Sequence, residues 1–180
     1  LKGGTSIILM SIRSGAPYAD RIEQEGKVLI YEGHDIPRNN NTNPKSVHQP
    51  MSNPTGTLTE NGKFLQAAKR YKDGESPAEL VKVYEKIRAG IWVYNGIFKL
   101  IDAWQEISNA RKVFKFKFEA SDEINIQRIN SKDIDQTRLI PSSVKIEVWE
   151  RDKGRCVICK KTDNLHFDHI IPYSKGGSSL

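Results

Sequence analysis

The chain has 180 residues, with 28 Lys and Arg against 22 Asp and Glu, for a formal net charge of +6 at pH 7. That length suits one good-sized domain plus a small module, and the basic balance favours a polyanionic partner at modest salt. Only two cysteines occur and no run approaches the roughly 18 apolar residues of a membrane span, which argues against a disulfide framework and against a membrane partner.

In chain order, Ser6 to Ile12 is a short apolar run that reads as a buried strand, and Val28 to Tyr31 is a second one between Gly26 and Gly33. Lys63 to Tyr71 follows a Thr-Glu-Asn-Gly start and sets Phe64, Leu65, Ala67 and Ala68 at helical spacing. Ser76-Pro77-Ala78-Glu79 has the form of a capping box with proline at the first helical position. A second helix is therefore predicted there, carrying Leu80, Val83, Tyr84 and Ile87 and ending at Gly90. Both helices are expected to cover a sheet.

Ile91 to Val93, Ile97 to Ile101 and Val113 to Glu119 read as strands, the last with Phe114, Phe116 and Phe118 on a core face and Lys115 and Lys117 on the other. Residues 121–140 are mostly polar and form the predicted linker. Val144, Val148 and Trp149 then mark a short helix over Ser143 to Arg151, stopped by Gly154. The fold class is α+β, with a first domain over 1–120, the linker over 121–140 and a second module over 141–180. Leu1-Lys2-Gly3-Gly4 lacks a secretory signal's architecture, so a cytoplasmic protein is expected.

The densest chemistry lies in the second module. Cys156 and Cys159 have the two-residue spacing that lets one tight turn point both sulfurs at a single Zn²⁺, while Asp168 and His169 offer a hard oxygen ligand beside a potential general base. A closed structural zinc needs four ligands, and the chain supplies only this pair of thiols. Residues beyond about Pro141 are therefore expected to pack poorly. Taken alone, the cysteines also fit an ordinary zinc knuckle that only binds nucleic acid.

Arg151-Asp152-Lys153-Gly154-Arg155-Cys156, Cys159, Asp168-His169-Ile170-Ile171-Pro172 and Lys175-Gly176-Gly177 together resemble the start of the HNH endonuclease family. The resemblance implies a ββα-metal module in which Asp168 helps hold a divalent ion such as Mg²⁺, His169 is the catalytic base, and Cys156 and Cys159 belong to a structural Zn²⁺ scaffold. In that family a later Asn, a second Cys-x-x-Cys and a final metal-binding His or Asn complete the site. The chain stops at Leu180 without them, so a truncated module that binds without cutting is expected.

The first domain carries a second likeness. Gly15-Ala16-Pro17-Tyr18-Ala19-Asp20-Arg21-Ile22, Gly26 and Tyr31-Glu32-Gly33-His34-Asp35 resemble the SRA (YDG) domain, and Gln49, Leu58-Thr59, Asn61, Tyr94-Asn95-Gly96-Ile97-Phe98 and Trp104 follow in the family's order. The likeness runs from about Gly4 to Glu119 and implies a curved or barrel-like sheet flanked by helices that flips 5-methylcytosine or a similar base out of duplex DNA. Tyr18 and Tyr31 would stack on the flipped base, Asp20 would accept from the N4 amino group of cytosine, and Arg38 would enter a groove on the basic loop 38–45. An ungapped match puts Arg21 in the place of Asp20. His48, Asn95 and Glu32 depart from the family's usual Asp, Asp and Thr.

Together the two likenesses imply a modification-dependent restriction endonuclease acting on double-stranded DNA that carries modified cytosine, and they leave a homodimer open. The alternative is a non-catalytic modified-DNA-binding protein with an incomplete nuclease module. An RNA-binding or general zinc-knuckle protein forms a third class, because surface charge does not distinguish nucleic acids.

Overall fold

The computed structural model describes residues 6–38, 41–121, 140–163 and 165–167. Strands β1 (Ser6–Met10), β2 (Arg21–Glu23), β3 (Val28–Glu32), β4 (Glu79–Arg88), β5 (Ile91–Ser108) and β6 (Arg111–Ala120) form one sheet in the order β1-β4-β5-β6-β3-β2. Only β1 and β4 run parallel; the other neighbours are antiparallel. The order is linear with β1 and β2 at the edges, so the described strand pairs show an open mixed sheet rather than a closed barrel. Helices α1 (Glu60–Lys72) and α2 (Ser142–Arg151) complete the described regular structure, with single 3-10 turns at Gln24–Gly26 and Pro44–Ser46. Among the described residues no helix is long and apolar enough to cross a membrane.

The helix expected from Ser76 to Gly90 is strand β4 instead. Leu80, Val83, Tyr84 and Ile87 fit a helical stripe, but Val81, Val83, Glu85 and Ile87 alternate with the more exposed positions between them, which is the period of a strand. Glu79 does not close a capping box: its carboxylate accepts from the Ser6 hydroxyl of β1 at 2.7 Å. As an interior strand between β1 and β5, β4 gains main-chain partners on both sides, and that tertiary demand overrides the local capping signal.

Two strands expected over 91–101 are one long strand, β5. Between the pairs Lys82↔Ile97 and Tyr84↔Tyr94, β5 carries one more residue than β4, and Gly96 there takes φ +96°. A bulge with glycine in the left-handed region thus lets the strand continue through Asn95-Gly96 instead of ending.

The core lies where α1 covers the sheet. Thr59 caps α1 by accepting from the Gly62 amide, and Phe64 and Ala68 are then buried against the strands. The Phe64 ring meets Phe116 edge-on at 5.4 Å and Phe118 at 6.0 Å, so the three β6 phenylalanines are core as expected. Lys115 departs from expectation: its side chain is only 2% exposed, because the opposite face of β6 is covered here by the chain around Ala19.

The predicted linker lies, from 122 to 139, outside the described residues. Beyond it α2 forms as expected, with Gly154 at φ +63° accepting no side chain: a Cβ there would stand 2.8 Å from the Trp149 ring. The start of α2 is not loosely packed, however. Ser142 and Lys145 are buried against Glu85 of β4, which corrects the expectation for the residues just after Pro141.

Candidate functional site

The loop between β1 and β2 holds Tyr18 and Asp20, and buried charges hold the loop. Glu32, at the end of β3, accepts from the Ala19 amide at 3.1 Å and from the Lys115 ammonium at 2.9 Å. Lys115 also donates to the Ala19 carbonyl at 3.1 Å. Both polar groups of the Ala19 peptide are thus taken by one buried ion pair, which fixes the residues on either side of it. Asp20 adds a second anchor, with its two carboxylate oxygens accepting from the main-chain amides of Ser11 at 3.0 Å and Glu32 at 2.9 Å. Burial pushes the Asp20 carboxyl up to about 6, against the pull of those two amides.

Behind this loop lies a polar cluster whose members, apart from Arg111, stood in the sequence motifs without an assigned role. Arg111 donates to Asp35 at 2.6 Å and to Val47 O at 3.3 Å, and lies 3.4 Å from Glu32. Burial works to raise the Asp35 carboxyl, but Lys45, Arg111 and Gln49 more than offset it and hold it below the usual carboxylate range. Gln49 donates to Gly33 O at 2.6 Å and accepts from the Phe114 amide at 2.7 Å, bridging β3 and β6 where their ladder ends. Asn61, in the first turn of α1, accepts from the His34 amide at 2.8 Å and donates to His34 O at 2.9 Å. His48 stands where the SRA pattern has an Asp, and its Nδ1 accepts from the Lys112 amide at 3.0 Å.

Gly33 makes these contacts fit. A Cβ there would lie 2.5 Å from Asn61 Oδ1 and 2.9 Å from Gln49 Oε1. Gly33→Ala is expected to lower stability by about 1–3 kcal/mol, since both amides are buried and neither can swing away without losing its partners. Urea unfolding checks this; a change within about 0.5 kcal/mol of the unsubstituted chain would contradict it.

Tyr18 faces a cleft of about 650 Å³ lined also by Asp35, Ile36, Arg38 and Lys45, within the usual size of about 300–1,000 Å³ for ligand sites. The Lys45 ammonium sits 4.1 Å from the centre of the Tyr18 ring, pairs with Asp35 at 2.8 Å and donates to Pro17 O. Burial raises the Tyr18 hydroxyl. Tyr31 lies deeper, 2% exposed in the core cluster and edge-on to His34 at 6.0 Å, and its hydroxyl is pushed up by burial first and by the Asp20 charge second. Tyr18, Asp20 and Tyr31 are therefore neighbours, with Tyr18 at the surface and Tyr31 beneath. Arg38 is exposed on the cleft rim, and Arg21 turns away to an exposed pair with Glu23 at 2.7 Å.

In the second module the Cys156 sulfur accepts from the Cys159 amide at 3.5 Å, and the Lys160 amide bonds back to Cys156 O at 3.0 Å. Main-chain amides from Cys159 and Ile158 hold the Cys156 thiol below its ordinary range, which favours the thiolate a metal needs. The turn thus suits two thiolate ligands. No group of three or more metal-binding side chains occurs among the described residues. Asp168 and His169 lie outside the described residues.

No family model matches the chain, and no curated protein matches it. Solved structures do, and those named as such are SRA domains. The SUVH5 SRA in complex with methylated CHH DNA is 21% identical, covering 63% of this chain and 61% of that one, with a TM-score of 0.43. The same domain with hemi-methylated CG DNA is 22% identical over 63% of each chain, at 0.42. Arabidopsis thaliana SUVH6 in complex with SAM is 20% identical, covering 77% of this chain and 20% of that one, at 0.39. The chain spans about 61–63% of the length of the first solved structures it matches.

Proposed function

We propose that the sheet domain reads a modified cytosine in duplex DNA and that the second module is the start of an HNH nuclease, making the chain part of a modification-dependent DNA endonuclease. The observation that carries the reading half is the buried Glu32–Lys115 pair, which takes both main-chain polar groups of Ala19 and so fixes its neighbours on either side, Tyr18, which lines the cleft with Arg38 and Lys45, and Asp20. A base that leaves the stack needs an aromatic face and a partner for its pairing edge, and these two residues supply both. The Tyr18 ring offers the face and the Asp20 carboxylate accepts from N4, whereas Tyr31, expected to stack on the base as well, is 2% exposed in the core and offers no open face. Arg38 and Lys45 line the rim where phosphates pass.

For the cutting half, Asp168 is assigned as ligand to a divalent ion and His169 as the group that takes a proton from the attacking water. A bound divalent ion would supply charge neutralisation at the leaving oxygen. Cys156 and Cys159 would hold two positions of a structural zinc and do no chemistry themselves.

Competition binding of the chain to matched duplexes that differ only in one cytosine's modification tests the reading half. Tighter binding of the modified duplex is expected, and equal affinity would sink it. For the cutting half, modified-duplex binding without nicking is the expected result for this chain; nicking that requires Mg²⁺ or Mn²⁺ and disappears in His169→Ala would overturn that expectation while supporting the roles assigned to Asp168 and His169.

A further inference from the structure

Helix α2 is tied to the sheet by a closed polar network. The Ser142 hydroxyl donates to Glu85 Oε1, while the Lys145 ammonium donates to Glu85 Oε2 at 2.8 Å and to Asn95 Oδ1 at 2.7 Å. Asn95 Nδ2 completes the ring by donating to Glu85 Oε2 at 2.9 Å. The Lys145 and Glu85 side chains are 3% and 1% exposed. Two charges so far from water persist only where geometry and extra hydrogen bonds offset their desolvation, so this contact specifies one position of the helix. Asn95 takes part because it sits in the β5 bulge beside Gly96, at the stretch facing Glu85.

Each end of the network leads to a site. Lys86, next to Glu85, gives its carbonyl to the Ser11 hydroxyl at 3.3 Å, and the Ser11 amide donates to Asp20 at 3.0 Å. In the other direction α2 runs through the Trp149–Gly154 contact into the turn that carries Cys156 and Cys159. An exposed pair between Arg88 and Glu150, at 2.8 Å, flanks the buried one.

We propose that the Glu85, Asn95, Ser142 and Lys145 network is a joint that fixes α2, and with it the cysteine turn, to the sheet beside the support of Asp20, so that ligand binding at the Asp20 loop and ordering of the second module rise and fall together. The docking half stands on the network alone; the coupling half rests on the base-reading assignment of Asp20.

Hydrogen exchange on the full chain tests both halves. Lys145→Met leaves Glu85 buried without its cation, and amide exchange over Ser142–Arg151 is expected to quicken by about 100-fold or more. Combining it with Glu85→Leu removes the orphaned charge and is expected to restore most of the protection. Arg88→Ala, which breaks only the exposed pair, should change the same amides by less than about threefold. Unaltered α2 exchange in Lys145→Met would overturn the joint. Should that variant loosen the whole sheet, Ser142→Ala decides: faster exchange in α2 with β4 and β5 unchanged is expected, and no change in α2 overturns it.

For the coupling half, a saturating duplex with 5-methylcytosine is expected to slow α2 exchange in the unmodified chain and not in Lys145→Met. Bound duplex with unchanged α2 exchange would refute coupling while docking stands. A duplex that fails to bind would instead remove the base-reading assignment, and the coupling with it.

Discussion

Lys115→Met is expected to lower the unfolding free energy by about 3–5 kcal/mol, the range for removing one partner of a buried ion pair. The Lys115 side chain is 2% exposed and Glu32 5%, so water cannot take the place of the lost ammonium. Three acceptors lose a donor at once or face an unpaired charge: Glu32 Oε2 at 2.9 Å, Ala19 O at 3.1 Å and, more distantly, Glu106 at 3.8 Å. Arg111, 3.4 Å from the other Glu32 oxygen and already engaged with Asp35 and Val47, offers little compensation. Lys117→Met on the same strand is the control, expected to change stability by less than about 1 kcal/mol because that position is partly open to solvent. Lys115→Met also frees Ala19, and preference for a modified duplex should fall with it. Urea unfolding of both variants and competition binding give the two readouts. Equal effects at Lys115 and Lys117 would mean that the clamp on the reading loop is not where the stability lies.

The contrast between Lys115 and Lys117 also marks how far the sequence reaches. Alternation in Val113 to Glu119 correctly separates three core phenylalanines from two lysines, but it cannot say what covers the lysine face. One lysine meets a loop that arrives from about a hundred positions earlier in the chain, and no local signal distinguishes it from its neighbour. The same limit explains β4. Ser76-Pro77-Ala78-Glu79 is a sound helix start on local grounds, and only the presence of β1 and β5 on either side makes the strand the better state. Elements whose reason is local were legible: α1, although it begins at Glu60 under a Thr59 cap rather than at Lys63, α2 with its Gly154 stop, and strand β3; β1 is a strand as expected but lies at the sheet edge with Ile7 and Leu9 exposed rather than buried. At the candidate site the motif brought Tyr18, Asp20 and Tyr31 to notice, and the fold does bring them together. Glu32 was legible only as a departure from the family's Thr, although its charge is what secures the loop. Arg111 carried no sequence signal, since a single arginine opening a strand is most often a solvated end.

Asp20 yields the sharpest test, because protonation should act on folding and on reading in opposite directions. Its carboxyl is pushed from an ordinary 3.8 up to about 6, so between those values the folded chain binds a proton that the unfolded chain has released. Folding stability from this group therefore falls as pH rises from about 4 to about 6, by an amount on the order of 3 kcal/mol. Reading runs the other way. A cytosine N4 amino group needs an acceptor, which the carboxylate provides above pH 6, whereas the protonated acid presents an O–H toward another donor. Preference for the modified duplex is thus expected to shrink by about 1–3 kcal/mol as pH falls through 6, while the Asp20 contribution to folding stability grows over the same fall. Asp20→Ala should remove the preference at all pH values and Asp20→Asn should flatten its pH dependence, while Arg38→Ala weakens modified and plain duplexes alike and reduces the salt dependence. Competition binding from pH 5 to 8, at two salt concentrations, separates these outcomes. A preference that stays constant with pH and survives Asp20→Asn would leave Asp20 as an anchor for the Ser11 and Glu32 amides only, and transfer of the effect to Arg21→Ala would favour the ungapped alignment.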